Sequence, residues 1–419
     1  MTTVANMFDP VHYRGVYKPL LKAETMPPWC YTSEDFYRRE VENVFRKTWN
    51  FVGRADETPN PGDYRTLDIC GEPIIVLRDK GGEIRAFANT CRHRGAQIVE
   101  GKGNCRALSC PYHGWVYALN GDLIGSSGME KTLDFDRAKY GLAKLRVDTW
   151  AGFVFVNFSQ TGPSLQQHLG DLPAELASYR FGDYVTVSRH EWDLKCNWKI
   201  FLENAMEEYH TPVVHRQSIG AQVMEPVPGK GEWDALHMAA EGTIAVLPED
   251  KHHALPHAPG IVGRPAKGTY FIAIYPATFF ACTQDTMWWL HQVPKGAGRC
   301  IVQHGAAFPK STVERPDFKE KLPYYIKRWH KSVPEDNWVS EQQQAGLASS
   351  LSAPGRLSWH EPVVQDIDKW VLDRVMDKKS KTAVSAAPAR AKRNAGRKSS
   401  QAKGPRRAKK SSKKSSRTG

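Results

Sequence analysis

Two cysteines and two histidines in the first third of the chain have a spacing suited to a metal centre. They form C-x-H, a 16-residue spacer and C-x-x-H, and they are Cys91, His93, Cys110 and His113. Thiolate and imidazole together bind either zinc or an iron–sulfur cluster. Zinc sites usually pair like ligands within each arm, whereas each arm here has one Cys and one His. This pairing favours a cluster of two irons, one bound by both thiolates and the other by both imidazoles. Structural zinc and four unrelated core residues are the alternatives.

The residues around these ligands resemble a known signature. The runs CRHRG (residues 91–95) and CPYHGW (residues 110–115) are similar to the Rieske motif in the α subunits of ring-hydroxylating oxygenases, the Rieske non-haem iron oxygenases. The resemblance implies a [2Fe-2S] cluster on the four ligands and a mononuclear non-haem Fe(II) that uses O2 further along the chain. It also implies electrons that come from NAD(P)H through a separate flavin- or ferredoxin-type reductase. In agreement, no G-x-G-x-x-G follows a predicted strand in this chain.

The run from residue 197 to residue 215 resembles the iron motif of that family. Glu207 and His210 are three residues apart, so we expect one helix face to present both. Pro212 is expected to end or bend this helix, because proline lacks an N–H and disfavours helical geometry in the residue before it. His215 can then turn back toward His210, and the resemblance makes these two histidines iron ligands.

The third iron ligand is expected far away in the chain. The run from residue 334 to residue 344 resembles the family's third-ligand helix, and the resemblance places the ligand at Asp336, with Glu335 as the neighbouring alternative. Two histidines and a carboxylate on one face of Fe(II) leave positions open for O2 and substrate.

The resemblance also implies a route for electrons between subunits. In the family, the acidic residue three positions before the first iron histidine bridges to a Rieske histidine of a neighbouring subunit. Carried over, Glu207 links His210 to His113 of the next protomer in a head-to-tail homotrimer. Asn204, in the same run, is placed beside Glu207 among the catalytic residues. The alternative is that Glu207 is a solvated charge on the helix surface and that the bridge is absent.

Two features favour a quaternary ammonium substrate. The family usually has Asp at the bridging position, and Glu207 instead resembles the branch that contains carnitine oxygenase, glycine betaine demethylase and stachydrine demethylase. Aromatic faces attract methylated cations, and the predicted strands of the second half of the chain are rich in aromatic residues. Most of these residues are expected to pack in the core; the candidate pocket residues are Tyr275, Phe279 and Trp288.

The predicted reaction is oxidative N-demethylation of a stachydrine- or glycine betaine-type compound, with release of formaldehyde. Hydroxylation of an aromatic compound, as cis-dihydroxylation or monooxygenation, is the alternative within the family. A non-catalytic Rieske electron carrier is the alternative of another class, and the second iron motif argues against it. The sequence leaves open whether a β subunit joins the assembly.

The hydrophobic patterns predict an α+β protein. Short β-type runs separated by turn signals predict a small antiparallel β domain over residues 48–158, which follows an N-terminal helical segment, 1–47. Clustered helical and strand patterns predict a larger catalytic domain over 159–377, with helices packed on an antiparallel sheet of the helix-grip type. The predicted helices are 33–45, capped by Ser33, 163–178, 197–211 and 315–350, and the predicted strands of the larger domain are 184–194, 235–247 and several between 269 and 308.

The net charge of +13 in 419 residues comes from the end of the chain. Residues 378–419 contain 16 Lys and Arg and no Asp or Glu, which leaves 42 basic against 45 acidic side chains, a net charge of about −3, before them. This segment is predicted to be a disordered basic tail that binds nucleic acid at most weakly. No apolar run is long enough to cross a membrane, so we expect a soluble cytoplasmic protein.

Overall fold

Short helices precede the first sheet. In the computed structural model, which describes residues 6–376, Ser33 caps a helix by accepting a hydrogen bond from the Phe36 N–H at 3.3 Å. The final residues of the predicted helix, Val41–Phe45, form a wider π turn. The helices here are α1 (Trp29–Thr32) and α2 (Glu34–Glu40), after 3-10 turns at Pro10–Tyr13 and Leu20–Lys22.

Residues 50–157 build three small antiparallel sheets. Their strands are β1 (Asn50–Arg54), β2 (Asp63–Ile69), β3 (Glu72–Arg78), β4 (Ile84–Ala88), β5 (Lys102–Asn104), β6 (Leu108–Ser109), β7 (Val116–Tyr117), β8 (Leu123–Gly125), β9 (Arg146–Trp150) and β10 (Phe153–Asn157). The strand orders are β1-β10-β9, β4-β3-β2-β5 and β6-β7-β8. Asn120-Gly121 joins β7 to β8, with Gly121 at a φ of +90° that few other residues tolerate.

A seven-stranded antiparallel sheet forms the centre of the larger part, in the order β11-β17-β16-β15-β14-β13-β12. Its strands are β11 (Tyr184–Leu194), β12 (Glu225–Val227), β13 (Trp233–Ala239), β14 (Gly268–Ile274), β15 (Thr278–Cys282), β16 (Met287–Pro294) and β17 (Cys300–Pro309). The helices around it are α3 (Leu165–Leu169), α4 (Leu172–Glu175), α5 (Trp198–Ala205), α6 (Thr211–Val214), α7 (Lys310–Val313), α8 (Phe318–Leu347) and α9 (Pro362–Val375). Further 3-10 turns lie at Ala55–Glu57, Arg137–Tyr140, Ala177–Tyr179, Phe181–Asp183, Pro248–His253 and Pro265–Lys267.

The two faces of this sheet pack against different partners. Adjacent strand residues point to opposite faces, and Trp288 and Trp289 of β16 do so. Trp288 packs on the helical side, with its ring centroid 6.0 Å from that of Trp329 of α8, whereas Trp289 lies 5.8 Å from Phe51 of β1. Side chains of α5, α8 and α9 belong to the hydrophobic core on the face of Trp288, and side chains of β1 and β10 belong to the core on the face of Trp289. A functional site built from both sheet and helix residues is therefore expected on the face of the sheet that the helices cover.

The predicted helix 163–178 is divided into α3, α4 and a 3-10 turn, with Gly170 at a φ of +55° ending α3, and two further predicted elements are shorter than expected. The predicted helix 197–211 ends at Ala205, because the carboxylate of Glu207 accepts the His210 N–H at 3.0 Å, a donor that a continued helix would pair with the carbonyl of Met206. The predicted strand 235–247 ends at Ala239. Beyond it, the Thr243 hydroxyl accepts the Ala245 N–H at 3.0 Å, a local turn that replaces pairing with a neighbouring strand.

The α+β class and its two-part architecture are confirmed, with a small β part followed by an antiparallel sheet packed by helices. The basic segment 378–419, predicted to be disordered, lies outside the described residues. Among residues 6–376, no helix has the length and apolar character required to span a bilayer.

Candidate metal centres

The Cys and His residues of the first centre lie on two tight turns. Each turn folds back on its cysteine, since the Gly95 N–H donates to the Cys91 carbonyl at 2.9 Å and the Gly114 N–H to the Cys110 carbonyl at 3.1 Å. Both glycines have positive φ, +80° and +68°, a conformation that side chains with a Cβ rarely adopt. The glycine four residues after each cysteine thus shapes the loop that carries each histidine.

These turns bring the imidazoles together near the surface and keep the thiols inside. The Nδ1 atoms of His93 and His113 lie 3.2 Å apart, and the two ring centroids 4.6 Å apart. Cys91 and Cys110 are each only 3% exposed. Two neighbouring nitrogens can bind one iron and two buried thiolates another. The residues therefore fit a two-iron cluster with its histidine side toward the protein surface.

Three side chains converge at the second centre, two from the ends of one short helix and one from a distant helix. His210 and His215 flank the short helix α6, and Asp336 lies on α8. The two Nε2 atoms are 3.3 Å apart, and Asp336 Oδ1 lies 3.5 Å from Nε2 of His210 and 3.0 Å from Nε2 of His215. Metal–nitrogen bonds of about 2.0–2.1 Å place adjacent ligand atoms about 3 Å apart. The triangle thus has the size of one face of a coordinated metal ion.

Each imidazole is oriented by a carboxylate on its far side. Nδ1 of His210 donates to Glu207 at 2.6 Å, and Nδ1 of His215 donates to Glu335 at 2.7 Å. With Nδ1 protonated, both Nε2 lone pairs face each other and the Asp336 carboxylate, and a cation between them removes that repulsion. The donor set is two histidines and one carboxylate, the combination that binds non-haem Fe(II) with open positions.

The electrostatics of this centre favour positive charge. Burial lowers the pKa of His210, but hydrogen bonds and negative charge from Asp336 and Glu207 outweigh it and raise the pKa to about 9. Burial raises the pKa of Asp336, but its contacts with the two histidines outweigh that effect and leave the pKa below its usual value. Asp336 is therefore a carboxylate at neutral pH, the form that binds a metal.

Glu207 lies on the turn between α5 and α6 and is 9% exposed. Its two oxygens hold His210 from two sides, one at Nδ1 and one at the main-chain N–H. A carboxylate has about four lone-pair positions, so Glu207 can still accept a hydrogen bond from another group. The predicted helix face is therefore a turn, and the carboxylate lies against the imidazole rather than in solvent.

An aromatic-lined cavity lies beside the second centre. Phe279 and Trp288, both predicted pocket residues, line it together with Phe201 and Phe271. Asn204 also lines it, and its buried Oδ1 has no hydrogen-bond partner among the described residues. Aromatic and aliphatic side chains thus share the lining with polar and charged ones, and one amide oxygen is free to contact a bound molecule.

Tyr275 does not line this cavity. It follows the end of β14, its hydroxyl donates to Asp234 at 2.6 Å, and its ring stacks on Trp370 of α9 with centroids 4.6 Å apart. Tyr275 lies beyond the end of β14, at the edge of the sheet, whereas Phe279 lies within β15 and faces the cavity.

Two carboxylates near the centre make contacts that were not predicted. Glu335, considered as a rival ligand, instead orients His215 and also accepts the Ser218 hydroxyl at 2.5 Å. Glu208 accepts His360 Nδ1 at 2.7 Å and the Met224 N–H, and so ties the turn of Glu207 to the segment before α9. Glu335 and Glu208 are next to Asp336 and Glu207 in the sequence. No sequence motif indicated the residues, distant in the chain, with which they form hydrogen bonds.

Two family models match the chain. A model of the Rieske [2Fe-2S] domain matches residues 48–143, and a model of the ring hydroxylating alpha subunit (catalytic domain) matches residues 181–377. The first contains the four residues of the first centre, and the second contains the triad.

Relatives and solved structures agree with these matches. The chain is 35% identical over 197 residues to the carnitine monooxygenase oxygenase subunit of Escherichia coli, covering 46% of this chain and 53% of that one, about half its length. It is 25% identical over 388 residues to the glycine betaine monooxygenase oxygenase subunit of Pseudomonas aeruginosa, covering 84% and 89%. A solved quaternary ammonium Rieske monooxygenase superimposes with a TM-score of 0.73 at 23% identity, covering 86% of this chain and 97% of that one, and so shares the fold.

Proposed function

The chain belongs to the Rieske non-haem iron oxygenases, and from that premise we propose that it is the oxygenase component of a system that oxidatively demethylates a quaternary ammonium compound. The observation that carries this proposal is the triad of His210, His215 and Asp336 beside an aromatic-lined cavity. The similarity to carnitine and glycine betaine monooxygenase subunits supports the same substrate class.

The cofactors follow from the two donor sets. Cys91, His93, Cys110 and His113 would hold the [2Fe-2S] cluster, and the triad would hold a mononuclear Fe(II). When bound, the cluster supplies single electrons and the Fe(II) supplies O2 chemistry at a C–H bond. A separate reductase that oxidises NAD(P)H delivers the electrons, in the cytoplasm.

The demethylation proceeds in two steps, hydroxylation of a methyl group and cleavage of the C–N bond. Hydroxylation of one N-methyl carbon takes one oxygen atom from O2, while two electrons and two protons convert the other oxygen to water. The resulting hydroxymethyl ammonium loses its hydroxyl proton, and the C–N bond breaks with its electron pair going to nitrogen. The products are the demethylated amine and formaldehyde.

Glu207 has two tasks in this proposal. It fixes the orientation of His210, and its remaining lone pairs accept a hydrogen bond from His113 of the neighbouring subunit in a head-to-tail homotrimer. The exposed position of His113 makes it accessible to such a neighbour. Electrons thus pass between subunits across a short hydrogen-bonded bridge.

The cavity excludes bulk water and positions the methyl group. Its aromatic rings attract a methylated cation through their faces, and Asn204 offers an amide oxygen to the positive N-methyl carbons or to water. The same aromatic and aliphatic side chains would accept an arene, which makes hydroxylation of an aromatic compound the second candidate.

The experiment is an incubation of purified protein and reductase with stachydrine, glycine betaine, carnitine and simple aromatic acids. We expect formaldehyde from at least one betaine, and none from the same betaine with the Asp336→Ala variant. A hydroxylated aromatic acid with no formaldehyde from any betaine would favour the second candidate and contradict the first.

A further inference from the structure

Arg328 is a buried cation that forms no ion pair with any residue from 6 to 376. It lies on α8, is 4% exposed, and lines the cavity that holds the triad. Its Nε donates to the Ile244 carbonyl at 3.2 Å and its Nη1 to the Ser332 hydroxyl at 2.7 Å. A guanidinium has five N–H donors. Among the described residues Arg328 forms these two hydrogen bonds and no ion pair, which leaves three donors without a protein acceptor.

The carboxylates nearest to Arg328 along the helix are committed elsewhere. Glu335 receives His215 and Ser218, and Asp336 faces both histidines of the triad. Burial lowers the pKa of Arg328 to about 10, which still leaves it protonated at neutral pH. Asp336 and Glu335 act on Arg328 through their negative charge but form no ion pair with it, so its unused donors are open to an acceptor from outside the described residues.

The contact of Arg328 with Trp288 restricts where a cation can bind. The guanidinium carbon lies 4.9 Å from the centroid of the Trp288 ring, so that face is already occupied by a cation. A substrate ammonium is therefore left to the other rings of the cavity, those of Phe201, Phe271 and Phe279. The cavity thus has one region suited to a cation and one region, at Arg328, suited to an anion.

We propose that Arg328 binds the carboxylate of the substrate, and that the substrate is a betaine carrying both a quaternary ammonium and a carboxylate. This inference rests on the proposed demethylation and narrows its substrate class. It excludes quaternary ammonium alcohols as preferred substrates, because they offer no anion to Arg328. A planar guanidinium can bind a carboxylate through two parallel hydrogen bonds, which also fixes the orientation of the molecule.

The first test varies the ligand and leaves the protein unchanged. Calorimetry on the holoenzyme measures the Kd of whichever of stachydrine, glycine betaine and carnitine yields formaldehyde, and of the corresponding carboxamide, in which an uncharged amide of nearly the same shape replaces the carboxylate. A hydrogen bond to a charged group typically changes affinity by about 10–100-fold, so we expect the carboxamide to bind weaker by that factor. Equal Kd values would overturn the assignment even if the betaine is demethylated.

The second test varies the protein. Arg328→Gln should raise the Kd of the betaine to that of its carboxamide and leave the Kd of the carboxamide unchanged. Arg328→Lys should recover part of the lost affinity for the betaine. Arg189 is a matched control, because it stacks on Trp289 at 4.6 Å but pairs with Glu57 and does not line the cavity. Arg189→Gln should leave both Kd values unchanged.

The outcomes separate this inference from the proposed function. Formaldehyde from a betaine, with Kd values that do not respond to Arg328, removes only the carboxylate assignment. No binding or turnover of any betaine removes the proposed function and this inference with it. If Arg328→Gln fails to fold, as judged by its iron content and optical spectrum, the comparison of betaine and carboxamide on the unaltered protein decides.

Discussion

The carboxylate of Glu207 holds His210 at two points, accepting the imidazole Nδ1–H at 2.6 Å and the main-chain N–H at 3.0 Å. The same contact ends α5 and orients a proposed iron ligand. One side chain thus affects both the backbone conformation before His210 and the orientation of its imidazole. A change at Glu207 can therefore be tested for its effect on ligand orientation and on electron transfer separately.

Glu207→Gln should leave both metal sites occupied and slow electron transfer between subunits. The amide keeps the size of the side chain but weakens the hydrogen bonds to His210 and to the neighbouring His113, and changes of this kind typically reduce activity about 10–100-fold. Iron and sulfide content would be measured together with the rate at which the reduced cluster is reoxidised by O2 and substrate. An unchanged reoxidation rate would place the electron route elsewhere.

Asp336 and Glu335 should have different effects on iron. Asp336→Asn removes a ligand charge, and we expect loss of the mononuclear iron with the cluster retained. Glu335→Gln removes only the group that orients His215, so iron should remain but bind about 10–100-fold more weakly. Iron content after dialysis against a chelator distinguishes them. Loss of iron from the Glu335 variant alone would make Glu335 the ligand.

The buried ion pair of Lys199 and Glu40 should be important for stability. Both side chains are 0% exposed, and Lys199 Nζ donates to Glu40 at 2.7 Å. Lys199→Met leaves the Glu40 carboxylate buried without a cation, with only the Trp198 indole N–H still donating to it, which should lower the free energy of unfolding by about 3–5 kcal/mol. Urea unfolding would measure the loss. The exposed Lys195 supplies the control, and Lys195→Met should change stability by less than about 0.5 kcal/mol.

The stability of the protein should depend on pH through Glu203. Burial raises the pKa of Glu203 to about 7 from its usual 4.5, against the opposing charge of Lys199 and the hydrogen bond from Tyr31. Because the folded pKa is the higher one, the contribution of Glu203 is fully present below pH 4.5 and is lost as the pH rises to 7. Glu203→Gln cannot titrate, so the stability of the unaltered protein relative to this variant should fall between pH 5 and pH 7, as measured by thermal unfolding. A difference that is constant over this range would contradict the assignment.

Local patterns in the sequence predicted the elements that depend on near neighbours. Ser33 caps its helix, and the predicted strand 184–194 is β11 with the same bounds. Spacing and resemblance also identified the residues that the structure brings together at both centres.

Features that depend on distant contacts could not be predicted in this way. The turn at Glu207 follows from a side-chain hydrogen bond that competes with the helix, and a helical pattern does not reveal it. The role of Glu335 depends on His215, 120 residues away. Arg328 is two helical turns before Glu335, a spacing compatible with one face of α8, but its lack of an ion pair with any described residue is visible only in the packed structure.

We propose that this protein demethylates a betaine by using O2. The most direct measurement is the ratio of formaldehyde formed to O2 consumed, with purified protein, reductase, NADH and a betaine in excess. We expect one formaldehyde formed for each O2 consumed, with formaldehyde formation and O2 consumption both ceasing when the betaine is replaced by buffer. O2 consumption with no formaldehyde from stachydrine, glycine betaine or carnitine would contradict it.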